Sequence, residues 1–532
     1  MDLDDNKQND IEHHERVNGE QPYILQSNLA GLPRWATLRK SWKAVMFAIM
    51  VSFGATLDGY HQTIPGNIIA NPGFIAQFGT IRDTATGALA LDALHVSAWG
   101  GILYGANIAG NIMGGFTADL LGRKFNMALM TLFLMCATLC EMFAKDWRVW
   151  GAGKMFAGLG NGFAQTVLVI YNSEIAPAQI RGFVLSTWAF FYALGQLLAS
   201  VGLQILATGS HPNDYLRSVY SEWALTGTFL IFLIVLPESP WFYARKGKHE
   251  QAKKSLRRLN GHISGYDVGL EYQSLSAEIE ASNKLREEQN RSKWSELFRG
   301  SDGRRFAITA CIPIYGQLVG GAVIFNYTTY FFQLAGLEDP FLASLIVFIL
   351  LLVFIGVSFF TTDLVGRRPL LLGAIVVMVV CLLGVGIAGV VPSTTSAKNA
   401  LIALSCLWVV AYASGLAPIG SILQGESSTP RLRAKTNSFS QALGQAFALI
   451  FNYTVPIMLS PQQAGWGTKT GFLFAGTAAI GGVILFFLVP EFKGRSYAEL
   501  DELFVRGVPA RKFKTTKTAH QLEREAAVAG PV

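Results

Sequence analysis

The 532-residue chain is 51% hydrophobic and only 15% charged, with a mean hydropathy of +0.35. Soluble domains carry about 25% charged residues, so a string of soluble domains is excluded and a polytopic membrane protein is indicated. The net charge of +7 does not mark a nucleic-acid binder, because the basic residues gather in loops between apolar stretches, the distribution that sets membrane topology.

Residues 1–41 are polar and hold no short apolar core ahead of a cleavage site. They are expected to be a cytosolic tail, with the first helix directing insertion. From residue 42 onward, stretches of about 20 apolar residues, enough to cross a bilayer, begin near 42, 95, 124, 148, 182 and 222. The first contains "FGATLDGYHQTI" (53–64), in which Asp58 and His61 interrupt a lipid-spanning helix. Ionisable groups at that depth are costly and mark function.

A polar stretch at 244–304, rich in Lys and Arg, divides the chain. Within it Ala252, Leu256 and Leu259 recur at i, i+4 and i+7, predicting an amphipathic helix packed under the membrane part. Six more spans begin near 306, 341, 369, 399, 434 and 468, and residues 491–532 form a second polar tail. The expected fold class is an all-α membrane protein of 12 transmembrane helices. It divides into six-helix halves at 42–243 and 305–490, joined by a cytosolic helical linker. The linker and the loops "GRK" (122–124) and "GRRP" (366–369) fall on one side. The positive-inside rule makes that side, and both termini, cytosolic.

The five cysteines all fall in apolar segments, which argues against a disulfide framework. The pair in "CATLC" lacks further metal ligands nearby, so no metal is expected. Asn326 and Asn452 each begin "NYT", but both lie in expected spans, out of reach of glycosylation.

Three charged motifs recur in the same order at nearly one offset. "GFTADLLGRK" matches "TTDLVGRRP", with Asp119 and Asp363 244 residues apart. "EIAPAQIRG" matches "ESSTPRLRAKT", with Glu174 and Glu426 252 apart and an Arg seven positions later in each, Arg181 and Arg433. "LPESPW" matches "VPEFKGR", with Glu238 and Glu491 253 apart. The chain therefore reads as a duplicated six-helix unit, the parallel-repeat architecture of major facilitator transporters. These charges, with Arg123 and Arg367, fall at cytosolic helix ends. There they are expected to form salt bridges that latch the inner gate shut while the outer side is open. The alternative is that they only set topology.

Together "GxxxDxxGRK", "DLVGRRP", "YNSEIAPAQIRG", "PESPWFYARKG" and "VPEFKGRS" resemble the sugar porter family of the major facilitator superfamily, over about residues 42–505. "YTTYFFQLAGL" (327–337), "SSTPRLRAKT" and "VPEFKGRSYAELDELF" look most like its fungal α-glucoside (maltose-type) permease branch. The resemblance departs at the seventh span, "GQLVGGAVIFNYTTYF", and at "APIGS" (417–421), where hexose carriers have other patterns. These departures suit a larger or different ligand.

A polyol exchanges water hydrogen bonds for amides and hydroxyls, and stacks on aromatic rings, at the midplane between the halves. By resemblance, Gln196 in "YALGQLLAS" and Gln317 match glutamines of the family's sugar site. Asn326, Tyr327 and Tyr330 lie further along the seventh span, the two tyrosines on one face as part of an outer gate. Trp408 and Tyr412 are candidate stacking partners, and Gln441 and Gln445 repeat their i, i+4 spacing. The alternative for the amides is helix–helix bridging.

The resemblance also implies coupling. Proton-coupled members carry an acid within "GYD", and here that position is His61 in "GYH". An acid that precedes it in the α-glucoside branch corresponds to Asp58, and a further one corresponds to Asn107. Asp58 and His61, three apart, share a face, and Asp58 tuned by His61 is the expected proton site. The function expected is plasma-membrane transport of a hexose or α-glucoside disaccharide by alternating access, as proton symport and as a monomer in lipid. The rivals are a carrier of another polar metabolite (a polyol, a quinate-like acid or a secondary metabolite), an uncoupled facilitator, and a non-transporting sensor. No enzyme motif or cofactor loop is present, so neither catalysis nor a cofactor is expected.

Overall fold

The computed structural model describes residue 29 and residues 32–82, 87–206, 213–392, 394–429, 431–493, 495, 497–519 and 521. Of the polar tails at 1–41 and 491–532 expected from the sequence, most of the first and residues 522–532 of the second lie outside the described residues. The helices of the first half run Trp42–Ile68, Ala93–Leu121, Arg123–Phe143, Trp147–Ile175, Arg181–Leu206 and Tyr215–Val235, referred to here as the first to sixth spans. Those of the second half are a seventh span in pieces (Gly300–Leu318, Ala322–Asn326 and Thr328–Leu334), Pro340–Val365, Arg367–Ala388, a tenth in pieces (Thr395–Ala411, Tyr412–Leu416 and Ala417–Glu426), Arg433–Leu459 and Thr470–Leu488. A short antiparallel pair, Ile81 opposite Ala90 and Arg82 opposite Leu89, follows the first span.

Among the described residues, eight helices are long and apolar enough to cross a membrane by composition. The first, second, fourth and seventh spans fall short, because glycines, amides and ionisable side chains interrupt them. Lipid offers such groups no hydrogen bonds, so they are sorted to the interior. The exposed large side chains of the apolar spans, such as Ile234, Val376, Ile480 and Phe487, face outward.

Neighbour relations repeat between halves. The first span packs on the fourth, fifth and sixth, the second on the fourth, and the third on the fourth and sixth. Shifted by six, the seventh packs on the eleventh and twelfth, the eighth on the tenth, and the ninth on the tenth and twelfth. The halves meet where the second span lies along the eleventh, the fifth along the eighth, and the first along the outer pieces of the seventh.

The linker holds the expected amphipathic helix, His249–Asn260, with Ala252, Leu256 and Leu259 buried. A second helix, Val268–Arg291, was not foreseen, because its apolar positions follow no strong period. Leu275 and Ile279 from it close a small core with Leu256.

The first and fifth spans approach so closely that glycine is required at the crossing. A Cβ on Gly195 would stand 2.1 Å from the Thr56 carbonyl oxygen, and one on Gly59 would stand 2.1 Å from that of Tyr192. Small residues of this kind let membrane helices pack backbone to backbone. Gly195→Val is expected to cost at least the ~1–3 kcal/mol of an overpacked core. In detergent it should lower the melting temperature and reduce the monodisperse fraction, whereas Gly105→Ala, where a Cβ meets open space, should change neither.

Candidate functional site

A cavity of about 310 Å³ lies on the axis between the halves. Gln62, Tyr104, Asn107, Gln165 and Tyr192 line it from the first half, and Gln317, Tyr412, Gln424, Gln441 and Gln445 from the second. Each of these side chains is an uncharged hydrogen-bonding group. Gln441, near the start of the eleventh span, is exposed, so the cavity reaches the surface at the end that carries the basic loops.

The opposite end is sealed by hydrogen bonds between the halves and, inside the second half, between the seventh and eleventh spans. Asn326 Nδ2 donates to the Tyr104 hydroxyl at 2.8 Å and to Asn452 Oδ1 at 2.7 Å. Tyr327 donates its hydroxyl proton to the Asn452 carbonyl (2.9 Å), and Asn67 Oδ1 accepts from the Thr329 backbone amide (2.8 Å). Gln333 Nε2 donates to the Ala70 carbonyl at 3.1 Å. The chain is thus captured open toward its basic end and closed at the other. The two asparagines of the "NYT" triplets meet inside this seal.

Broken helices place these groups. The seventh span stops at Leu318, turns at Gly320 (φ +82°) and resumes as a π-helical segment over Ala322–Asn326. This turn brings Asn326 and Tyr327 across the cavity roof. The tenth span has a second π segment at Tyr412–Leu416, two residues before Pro418, which has no N–H to continue the ladder. Single π turns inside membrane helices recur at functional sites. Tyr412 is backed by Trp408, with ring centroids 5.3 Å apart and planes at 11°; Tyr192 is backed by Trp188 in the same way, at 5.3 Å and 17°.

The sequence-derived site residues divide accordingly. Gln317, Tyr412, Gln441 and Gln445 line the cavity. Trp408 is buried behind Tyr412 and supports its ring without lining the cavity. Asn326 and Tyr327 form the seal, and Tyr330 packs against the adjacent core. Gln196 is buried one turn beyond Tyr192, where the first and fifth spans touch, and is not among the lining residues. Gln62, Tyr104, Gln165, Tyr192 and Gln424 were missed, although amides within spans, as in "GFAQTV", were a visible signal.

Asp58 and His61 do not pair. Asp58 is fully buried, and neither carboxylate oxygen has a hydrogen-bond partner. Gln165, which lines the cavity, interacts with it from the fourth span. His61 turns instead to the sixth span, its Nδ1 3.7 Å from Glu222 Oε2. Three residues along a helix share a face only broadly, and here the residual angle directs the two side chains to different neighbours. Around His61 lies a buried ionic cluster. Lys154 Nζ donates to Glu141 Oε1 (2.7 Å) and sits over the Trp150 ring, while the Thr138 hydroxyl donates to Glu222 Oε2 (2.7 Å). Glu141, Lys154 and Glu222 were readable as ionisable residues within apolar spans.

The repeated charges at the basic end tie helices together within each half. Arg123 donates through Nε and Nη2 to Glu174 (3.0 and 2.8 Å) and through Nη2 to Asp119 (3.2 Å). Glu238 accepts from the backbone amides of Arg123 and Lys124, both at 3.0 Å. Burial raises the Glu238 carboxyl above its ordinary pKa, and the amides of Ser239, Lys124 and Arg123 pull it back down. Glu491 repeats the arrangement, accepting from the amides of Arg367 (3.0 Å) and Arg368 (3.2 Å). Each glutamate fits because a glycine precedes the paired amides. Gly122 (φ +103°) and Gly366 (φ +109°) adopt backbone conformations that side chains disfavour, and a Cβ there would crowd the carboxylate.

Among the described residues Arg181 pairs with Glu278 of the linker, at 3.8 Å, rather than with Glu174. Arg433 opens the eleventh span. The side chains of Asp363 and Glu426 lie outside the described residues.

Residues 47–504 match the family model described as sugar (and other) transporter. The chain belongs to this family. It is 28% identical to the maltose permease MAL61 of Saccharomyces cerevisiae over 499 residues, covering 92% of this chain and 80% of that one. It is 27% identical to the MFS transporter fmqE of Aspergillus fumigatus over 490 residues, covering 91% and 90%. The fold is similar to the inward-open xylose transporter XylE of E. coli, with a TM-score of 0.71 at 19% identity, covering 86% of this chain and 99% of that one. The architecture is accordingly the 12-helix major facilitator fold, and the chain is a multi-pass membrane transporter.

Arg123 and Glu174 are both nearly inaccessible, so Arg123→Gln leaves a buried carboxylate without its cation. A cost of about 3–5 kcal/mol is expected, read as a lowered melting temperature in detergent. The double variant Arg123→Gln/Glu174→Gln should recover most of it.

Proposed function

We propose that this protein carries an uncharged sugar, of hexose to α-glucoside disaccharide size, across the plasma membrane by alternating access, coupled to protons. The observation that carries the reading is the axial cavity. Its polar lining consists of amides and tyrosine hydroxyls, which match the alternating donors and acceptors of a polyol, and Tyr192 and Tyr412 offer stacking faces held by Trp188 and Trp408. A quinate-like acid would call for a cation in the lining, and the lining residues supply none. The maltose permease relative supports the α-glucoside class.

Asp58 is the proposed proton site. A carboxylate at membrane depth with no cation beside it is unfavourable, and binding a proton relieves that cost. Gln165 links it to the cavity, so ligand and proton act on one amide. His61, engaged with Glu222, acts with the Lys154–Glu141 pair as a separate buried cluster. Opening and closing rock the halves about the cavity, with the charges at Asp119, Arg123, Glu174 and Glu238 and their repeats holding each half rigid and latching the basic end when it closes. The basic end and both termini are placed in the cytosol by the positive-inside rule. One chain encloses the whole cavity, so it works as a monomer. The protein moves its ligand without altering it chemically.

Uptake of labelled maltose, glucose and quinate by a host lacking its own sugar carriers tests the reading. Sugar uptake with alkalinisation of the medium is expected, with no quinate uptake. Gln317→Ala and Tyr412→Ala should raise KM by at least about tenfold, the worth of one or two hydrogen bonds or a stacked ring. Asp58→Asn should abolish alkalinisation and uphill accumulation while leaving sugar exchange. Quinate uptake, or normal accumulation by Asp58→Asn, would overturn the ligand class or the coupling, respectively.

A further inference from the structure

The two repeated glutamates sit beside cations whose positions the transport cycle does not explain. On the second half, Arg511 of the C-terminal segment lays its guanidinium over the rings of Phe486 and Phe487, 4.5 and 4.4 Å from their centroids. Both rings are exposed on the lipid-facing side of the twelfth span. Arg368 approaches the same Phe486 ring at 5.4 Å and donates from Nη2 to the Phe486 carbonyl at 2.7 Å. Lys493 donates to the Leu364 carbonyl at 2.8 Å. Glu491, the neighbouring acid, is turned to the backbone amides of Arg367, Arg368, Phe492 and Lys493.

The first half repeats the construction. Lys124, the counterpart of Arg368, donates to the carbonyls of Ile234 (3.3 Å) and Leu236 (2.9 Å) at the end of the sixth span. Arg258 of the linker donates to the Val235 carbonyl between them. Glu238 is again turned to backbone amides, and Ile234 is again exposed to lipid. Two cations therefore converge on one helix end in each half. A helix C-terminus carries only about half a negative elementary charge, and one neighbouring glutamate, Glu238 or Glu491, adds a single further charge that acts on Lys124 or Arg368, so two cations still leave a positive excess. The excess positive charge stands beside apolar side chains at the level where the bilayer surface lies.

We propose that each half carries a binding site for the phosphate headgroup of an anionic phospholipid, formed by Lys124 and Arg258 on one and by Arg368 and Arg511 on the other. The phosphate bridges the two cations while the acyl chains lie along Ile234 or Phe487. The adjoining apolar surface is what selects a lipid over a soluble anion.

Native mass spectrometry of the full-length protein, released from micelles containing phosphatidylserine or phosphatidylcholine, tests this. Two phosphatidylserines should be retained, with a preference of roughly 30-fold over phosphatidylcholine from two near-surface cations per site. Arg368→Gln/Arg511→Gln should remove one, and Lys124→Gln/Arg258→Gln the other. The single change Arg511→Gln, at an exposed side chain in the tail, should weaken one site without touching a span. Equal retention of the two lipids, unchanged stoichiometry in all three variants, or displacement of the lipid by millimolar inorganic phosphate would overturn the proposal.

Discussion

The exclusion of water from the bilayer interior governs this structure more than any single contact. A polar group there has only the protein to bond to, so amides, hydroxyls and carboxyls are mostly turned inward and matched. That requirement separates the apolar spans, which face lipid, from the first, second, fourth and seventh, which do not. It also makes glycine essential. Where Gly59 and Gly195 let two backbones touch, the neighbouring polar side chains come within reach of the next helix, and the central cavity keeps its lining.

Within that constraint, charge is handled in two ways. At the basic end, carboxylates are satisfied by several donors each: Glu174 by Arg123 and Ser239, Glu238 and Glu491 by clusters of backbone amides. Deeper in the first half, Lys154 and Glu141 pair beside Glu222 and His61, whose contact is looser. Asp58 alone in that region has no such partner, and it sits next to an amide that faces the cavity. The contrast sets an acid with no cation beside it apart from groups that hold helices together.

Much of this was legible in the sequence. Twelve apolar stretches and three repeated motifs pointed to the two halves, and span starts agree closely except for the sixth, seventh and tenth, which begin four to seven residues early as polar first turns. Gln317, Tyr412, Gln441 and Gln445 were placed at the cavity by resemblance and helical spacing. Side-chain direction was less legible. Spacing of three put Asp58 and His61 on one face, but which neighbour each meets depends on the packing of the fourth and sixth spans, which no local pattern encodes. Trp408 shows the same limit: it was expected to stack on the ligand beside Tyr412, but its ring stacks on that of Tyr412, which stands between it and the cavity. The breaks at Gly320 and Pro418 were visible as punctuation, yet their consequence, a roof over the cavity, is tertiary.

The seal of the closed end is made largely of neutral hydrogen bonds: Asn326 to Tyr104 and Asn452, Tyr327 to Asn452, Asn67 to Thr329. Each, when broken, is replaced by a bond to entering water, so its net worth is only about 0.5–1.5 kcal/mol. A door fastened this way is shut firmly enough to prevent leakage but opens on thermal motion. Had the same positions held buried ion pairs, separation would strand charges and the two orientations would differ greatly in free energy. The amide fastening instead keeps the cost of parting at this end small, within reach of the modest binding energy of a transported ligand.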